Sequence, residues 1–402
     1  MKKLLLLLGA GIEQKIVITH AHELNFEVIA IDSNSDAPGL KISDISIVED
    51  ITNIEKICEI AEKYSVDGVM THAVEIPHIV SRVAERMNLP GLSPIIADIA
   101  TNKKMRIECF QKNNIPSPQF IYGSSIEEIL EKIKNLIFPL VMKPIDNAGS
   151  RGVIKIEKID DVSKIYTECT SFSKTKTVLI EEFIRGPQIS TESIIINNKI
   201  ITTGFADRNY NMDEIFSPYF IENGHTIPSI LTSKEKNNVL KVVEDSIRAI
   251  GINFGVAKGD IILDNGVPKV LEMAARTSGG RFASDMVPLS NGVNILKPLI
   301  QMSLGENIDM DFLKPKFRKA AVQRFFFPPA GKLKSIHGIE KSMTIPGVYD
   351  IFINPNIKIN DQIKPVTNHA ERIGHVITCE DTIEKAISIS DNVIKQVKFE
   401  IS

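Results

Sequence analysis

Apolar and polar positions follow two different periods along the chain, and the switches between them divide it into units. Residues 3–9 form an unbroken apolar run, the pattern of a strand buried on both faces of a parallel sheet. Gly9 and Gly11 permit a tight turn, residues 12–24 carry helical spacing, and Phe26 to Ile31 reads as a second strand ending at Asp32. A helix over 53–64, a strand from Val66 to Thr71 and a helix over 75–87 continue the alternation, which implies a parallel βαβ sheet. Leu89-Pro90-Gly91 closes this unit.

A helix over 98–113 carries Lys103, Lys104 and Arg106, and Ile115-Pro116-Ser117-Pro118 stops it and forces an extended link. Next come a helix from 126, a strand over 138–143, a turn over 146–152 and a strand over 152–157. A helix over 160–171 and a strand over 177–183 follow. Residues 190–196 and 199–206 form a hairpin about Asn197-Asn198, and 233–250 is a long amphipathic helix. A second hairpin pairs 254–263 with 267–273 about Asp264-Asn265-Gly266. From about 311 the pattern changes to short strands (Ala320 to Phe327, Gly347 to Ile353, His375 to Thr378) and a last helix over 381–395, a small α+β domain.

Composition narrows the classes. The 402 residues suffice for two or three domains with sizeable cores. With 43% hydrophobic and 24% charged residues and a net charge of -3, the chain has no excess for holding a polyanion, so a nucleic-acid partner is not expected. Cys58, Cys109, Cys169 and Cys379 are scattered, which spells neither a zinc site nor a disulfide framework and fits a reducing cytoplasm. Met1-Lys2-Lys3 before Leu4 to Leu8 imitates a signal peptide, but Glu13, Gln14 and Lys15 follow at once with no small-x-small cleavage site, so a buried first strand is expected. No apolar run approaches the ~20 residues of a membrane span. Gly9-x-Gly11 with Asp32 invites a dinucleotide reading, yet the third glycine of that fingerprint would fall on Gln14.

Four ordered patterns carry candidate chemistry. The strand ending in Lys143-Pro144 runs into Asp146-Asn147-Ala148-Gly149-Ser150-Arg151-Gly152. Such a small-residue loop either folds over phosphates, with lysine adding a point charge, or is a tight hairpin with an exposed lysine. Val178 to Ile184 ends in Glu181-Glu182-Phe183-Ile184, where backbone amides could read an adenine edge and Phe183 and Ile184 give apolar contact. The second hairpin sets Asp260 opposite Glu272 within a residue or two. Two facing carboxylates in an apolar hairpin repel unless a cation sits between them, and their hard oxygens suit Mg²⁺. The same strand continues through Arg276 to Ser278-Gly279-Gly280, a place to pair a substrate carboxylate or steady a developing oxyanion. Thr71-His72-Ala73-Val74-Glu75, and Arg208, Glu222 and His225 within 205–228, are candidates for the pocket border, His72 equally for a loop or capping role.

Taken together, Asn102-Lys103, the Lys143 loop, Glu181-Glu182-Phe183-Ile184, Asp260 with Glu272, and Arg276 resemble the ATP-grasp superfamily. The resemblance extends to the N-terminal "LLGAG…VIAID" and to Glu371-Arg372-Ile373-Gly374 near the end. It is nearest to carboxylate–amine ligases: L-amino acid ligases and phosphoribosylglycinamide synthetase-like or carbamoyl-phosphate-synthase-like relatives. The resemblance implies a Rossmann-like domain over 1–95 and an ATP-grasp domain over 96–310, with a small lobe at about 115–185 and a large lobe at about 186–310. The α+β domain over 311–402 completes the chain. It also implies that Lys103 and Lys143 bind ATP phosphates beneath Gly149, Ser150 and Gly152. Glu181 to Ile184 and Gln188 would border adenine and ribose. Asp260 and Glu272 would hold Mg²⁺, with Mn²⁺ as a substitute, and Arg276 with Ser278, Gly279 and Gly280 would face the acyl substrate. A cytoplasmic homodimer joining a small carboxylate to an amine is the expected enzyme. A purine-biosynthesis-type ligase and a phosphotransferase without ligation are the alternatives.

Two positions depart from the resemblance. Gln188 stands where many members carry a ribose-binding glutamate, and Ala274 replaces the asparagine of Glu-x-Asn-x-Arg, so that one metal ligand is either missing or supplied from elsewhere.

Overall fold

The first apolar run is a strand because it has two faces to bury. In the computed structural model, which describes residues 2–402, β1 (Leu4–Leu8) lies inside a parallel sheet with β2 (Glu27–Asp32), β3 (Ile45–Val48) and β4 (Gly68–Thr71), in the order β3-β2-β1-β4. Leu5 and Leu7 pack with Val17 and Ile18 on one face, while Leu6 and Leu8 pack with Ile57, Ile79 and Val83 on the other. Leu296 and Ile300, from the distant helix Leu296–Ser303, join the first cluster, so the N-terminal sheet shares a core with the body of the chain.

A four-stranded sheet in the order β5-β8-β6-β7 forms the small lobe from β5 (Phe120–Gly123), β6 (Leu140–Pro144), β7 (Ile154–Ile156) and β8 (Val178–Glu182). Alternation along β6 turns Leu140 and Met142 onto Ile129, Ile133 and Ile165, and leaves Val141 and Lys143 on the opposite face.

The large lobe contributes β9 (Gln188–Ile196), β10 (Lys199–Asn209), β11 (Gly224–Ile227), β12 (Gly255–Asp264) and β13 (Val267–Ala274). The helix Ser233–Ile250 covers one face through Val239, Val243 and Ile247. Its start is fixed by a reciprocal Thr232–Glu235 capping box and its end by Gly251 in a left-handed conformation.

The C-terminal stretch adds β14 (Ala320–Phe326), β15 (Gly331–His337), β16 (Val348–Ile353), β17 (Gln362–Ile363), β18 (Gly374–Glu380) and β19 (Lys398–Ile401). It is not a separate layer. β14 pairs with β11 through Thr226 and Val322, which makes one eight-stranded sheet, β13-β12-β9-β10-β11-β14-β18-β16. Only β17, β15 and β19 form a sheet of their own. Strand pairing therefore crosses the expected boundary near 311. The pattern hides this because β11 is a four-residue strand within a polar stretch.

Most helices and strands lie within a few residues of the expected positions. The helix expected over 98–113 is instead two, Pro94–Thr101 and Lys103–Lys112. They part at Asn102, whose backbone is extended and whose side chain accepts from Lys104 and Met105 N–H at 3.0 and 3.1 Å. Among the described residues, no helix is long and apolar enough to cross a membrane.

The β11–β14 seam is tight at Gly224, which has φ +151°, and an added Cβ there would meet the Gln323 carbonyl oxygen at 1.9 Å. Gly224→Ala is expected to cost about 1–3 kcal/mol by overpacking, read as a lowered thermal unfolding midpoint with far-UV circular dichroism unchanged at room temperature.

Candidate active site

The polar face of the small-lobe sheet, the β9–β13 face of the large sheet and the loop after β4 enclose a cleft of about 540 Å³. Lys103, Lys143, Gly149, Ser150, Glu181, Glu182, Phe183, Ile184 and Gln188 line it, as do Asp260, Glu272, Arg276, Ser278, Gly279 and Gly280. Gly152 does not reach the cleft. It sits at φ +73° at the base of the turn, where a Cβ would press on Phe172 and Pro144, so its role is to close the loop.

The break at Asn102 places Lys103 on the first turn of its helix, where its ammonium donates to the Asn147 carbonyl of the glycine loop. Burial pulls its pKa down to about 8, against the opposing pull of Glu272. Lys143 reaches Glu181 at 2.5 Å along the same sheet face. The Lys143 ammonium is thus held at the cleft by a local carboxylate.

Asp260 and Glu272 are direct partners across β12 and β13, with a bulge immediately after Asp260. Cations converge on the pair. Arg208 lies 2.7 Å from Asp260, Lys258 bonds Asp260 and lies 2.9 Å from Glu272, and Arg106 lies 3.5 Å from Glu272. Burial would raise the Glu272 carboxyl, but Lys258, Arg106 and Lys103 outweigh it and hold it well below the ordinary range. Two facing carboxylates fit one Mg²⁺ whose remaining positions nucleotide phosphates and water would fill. Among the described residues, no group of three or more His, Cys, Asp or Glu is placed to enclose an ion by itself.

Arg276 is fixed from the N-terminal domain, pairing with Glu75 through Nε and donating to the Thr277 carbonyl at 3.0 Å. Burial alone would weaken its proton affinity, and Glu75 and Glu272 reverse that, so it stays fully charged. Beside it, the Glu13 carboxylate accepts the Gly280 N–H at 2.8 and 3.1 Å. A Cβ on Gly279 would come within 3.0 Å of Glu13, so the glycine is what permits this close approach. Burial pushes the Glu13 carboxyl up.

Arg208 also pairs with Glu222 at 2.8 Å, and His225 lies 3.2 Å from the same carboxylate. Burial favours the neutral acid at Glu222, but His225, Arg208 and Arg372 together hold it far below the carboxylate range. The C-terminal domain reaches the cleft through His369 and Arg372. The His369 N–H donates to the Gly149 carbonyl at 3.0 Å, and its Nε2 accepts from Glu222 N–H at 3.3 Å and faces Ser150 Oγ at 3.3 Å. Burial and Arg372 keep its ring neutral, as an Nε2 acceptor requires. Arg372 stacks on Phe325 with its guanidinium 3.6 Å from the ring centre.

Arg106, Glu13, His369 and Arg372 carried no assignment in the sequence. Arg106 could have been inferred from the Asn102 cap, which fixes the helix phase. The others meet the site only through long-range packing. His72 is buried behind Arg276, with Nδ1 on Thr277 Oγ1 at 2.7 Å, and burial lowers its pKa to about 4. The dinucleotide turn is filled by Gln14, whose amide donates to the His72 carbonyl at 2.6 Å, while Asp32 accepts backbone N–H groups of Ala10 and Asn34.

Residues 100–280 match the family described as ATP-grasp domain, and residues 324–402 match L-amino acid ligase C-terminal domain 2. The uncharacterized protein y4rH of Sinorhizobium fredii is 24% identical over 366 residues, 88% of this chain and 73% of that protein. A formate-dependent phosphoribosylglycinamide formyltransferase of Saccharolobus solfataricus is 22% identical over 401 residues, 96% of this chain and 94% of the relative. The L-amino acid ligase structure from Bacillus licheniformis superposes with a TM-score of 0.86 at 20% identity, covering 100% of this chain and 99% of that one. Phosphoribosylglycinamide synthetase from Anaerococcus prevotii superposes with a TM-score of 0.77 at 23% identity over the whole of both chains. At these identities the superpositions establish the fold.

Lys103, with its pKa near 8, sets the sign of a pH effect. Below that value it is protonated and attracts phosphate; above it the attraction is lost. Nucleoside triphosphate affinity, measured by calorimetry, is expected to weaken from pH 7 to 9.5 in the wild type and to stay nearly level in Lys103→Arg. Removing the imidazole contact to Ser150 with His369→Ala, which keeps the backbone bond to Gly149, is expected to speed hydrogen exchange across residues 146–152 while leaving that of 233–250 unchanged.

Proposed function

We propose that the chain, whose residues 100–280 match the ATP-grasp domain, is an ATP-dependent ligase that activates the carboxylate of an amino acid, or a similar small acid, as an acyl phosphate and joins it to an amine. The observation that carries this reading is Arg276, buried, fully charged and held by Glu75, four residues beyond Glu272 on the same chain segment. It puts a carboxylate receptor next to the triphosphate end of the cleft.

In this reading Lys103 and Lys143 grip the phosphates under the Gly149–Ser150 loop, and Glu182 to Ile184 with Gln188 border the base and sugar. Asp260 and Glu272 would hold Mg²⁺, which when bound supplies charge neutralisation along the phosphates. Arg276 orients the substrate carboxylate so that one oxygen attacks the γ-phosphorus and ADP leaves. The loop latched by His369 keeps water from the acyl phosphate. The amine then attacks the acyl carbon, Arg276 steadies the tetrahedral oxyanion, and the C–O bond to phosphate breaks as the amine's proton departs with the phosphate.

Two features favour an amino acid over a phosphoribosyl substrate. Glu75 lines the cleft with Oε2 on Arg276, and its other oxygen can accept from an ammonium group. The basic cluster of Arg208, His225 and Arg372 already encloses Glu222, so it offers no free charge to a substrate phosphate.

The test is phosphate release with ATP and Mg²⁺ across a grid of amino acids and amines, with phosphoribosylglycinamide plus formate as a competing pair. Release is expected only when both an acid and an amine are present, in step with an amide product by mass spectrometry. Sustained release without an amine would point to a phosphotransferase or hydrolase, and turnover confined to the competing pair would replace the amino acid reading. Arg276→Ala is expected to lower kcat by about 10²–10³, with nucleotide affinity nearly unchanged.

A further inference from the structure

The cations around Asp260 and Glu272 are not equivalent. Arg208 and Arg106 approach one carboxylate each, from β10 and from the helix Lys103–Lys112. Lys258 alone contacts both, and it does so from within the hairpin, two residues before Asp260 on the same strand face. Its direct partner across β13 is Ala274, fully buried and ending in a methyl group. The register therefore places an ammonium and a methyl on the Arg276 side of the carboxylate pair. Ile262 continues the other side toward Gln188 and the hinge residues.

Mg²⁺ takes six oxygens at close to octahedral angles and gives up water reluctantly. On the Arg276 side, position 274 supplies no oxygen and position 258 supplies a positive charge already bonded to both carboxylates. The oxygens Lys258 does not touch are less engaged: Asp260 Oδ1 accepts from the neutral Ser190 hydroxyl at 3.1 Å and Glu272 Oε1 stands 3.5 Å from Arg106, which leaves lone pairs for an ion carried in by the phosphates. We propose that Lys258 is a built-in counter-cation that takes the place of a second metal ion, so that this enzyme binds its nucleotide with a single Mg²⁺. The inference rests on the ATP-grasp reading of the site and not on which acid is activated. A lysine cation cannot dissociate with product, so the acyl end of the carboxylate pair stays neutralised through the whole cycle. The dependence of turnover on free Mg²⁺ should then be first order.

Mn²⁺ titration followed by electron paramagnetic resonance, with a β,γ-imido ATP analogue saturating the full-length protein, counts bound ions directly. One Mn²⁺ per chain is expected in the wild type. Two would overturn the proposal, and none would overturn it together with the assignment of Asp260 and Glu272 as ligands. The paired variant Lys258→Ala/Ala274→Asn exchanges the ammonium for an oxygen and is expected to bind two Mn²⁺ per chain. A count of one in a folded paired variant would show that Lys258 does not exclude a second ion, and would count against the proposal. Lys258→Ala alone is expected to lose at least 10²-fold in kcat without recovery at high Mg²⁺. A wild-type count of one alongside phosphate release that needs no amine would leave this inference standing and remove the ligase reading.

Discussion

Two carboxylates face each other on the buried side of one hairpin, and much of the cleft is arranged to make that tolerable. Asp260 and Glu272 would repel strongly in a low-dielectric setting without compensation. Compensation arrives from three directions: Lys258 within the hairpin, Arg208 from β10 two strands away in the same sheet, and Arg106 from the helix capped by Asn102. Removing one partner of such a buried set commonly costs about 3–5 kcal/mol, because an unpaired charge is left behind. The pair is therefore a structural commitment as well as a candidate ion site. The break of the helix at Asn102 follows from the same geometry: it sets the phase that turns Lys103 and Arg106 together toward the hairpin.

Both ends of the chain close the cleft. The N-terminal sheet cannot be detached cleanly, because its core is completed by Leu296 and Ile300 and its loops hold Arg276 and Gly280 through Glu75 and Glu13. The C-terminal residues extend the large sheet by β14, β18 and β16 and return to the glycine loop through His369. That loop rests on contacts from two separate segments, at Lys103 and His369, and on its own Asn147–Arg151 bond. Its position thus reports on the whole assembly and not on the small lobe alone.

What the sequence revealed divides along the same physical line. The facing of Asp260 and Glu272 was readable because Asp264-Asn265-Gly266 fixes a hairpin register, which is local information. The helix Ser233–Ile250 was readable from its amphipathic spacing, and the turn over 146–152 from its small residues. Lys258 lay in plain view within the same hairpin, but its meaning depends on which residue is opposite, and Ala274 acquires significance only once the register is known. Glu13, His369 and Arg372 were unreadable because their partners lie far away in sequence: Gly280 from Glu13, Gly149 from His369 and Glu222 from Arg372. The joining of β14 to β11 was hidden for the same reason, since a four-residue strand carries too little pattern to announce its neighbour.

Charge is graded along the cleft, and the gradient bears on what each part can hold. Toward the glycine loop, Lys103 and Lys143 leave net positive charge once Glu181 is counted, a setting for a polyanion. Around Asp260 and Glu272 the signs cancel closely. Toward the N-terminal domain, Arg276 is flanked by Glu75 and Glu13, and farther along Arg208 and Arg372 are matched by Glu222. A ligand with one sign of charge gains at the first region and is resisted at the last, where each cation stands beside an anion at comparable range. A zwitterion with its charges a few bonds apart gains at both. The alternation at that end is what the proposed amino acid substrate, with an ammonium and a carboxylate together, would need beside a triphosphate whose charge is met elsewhere.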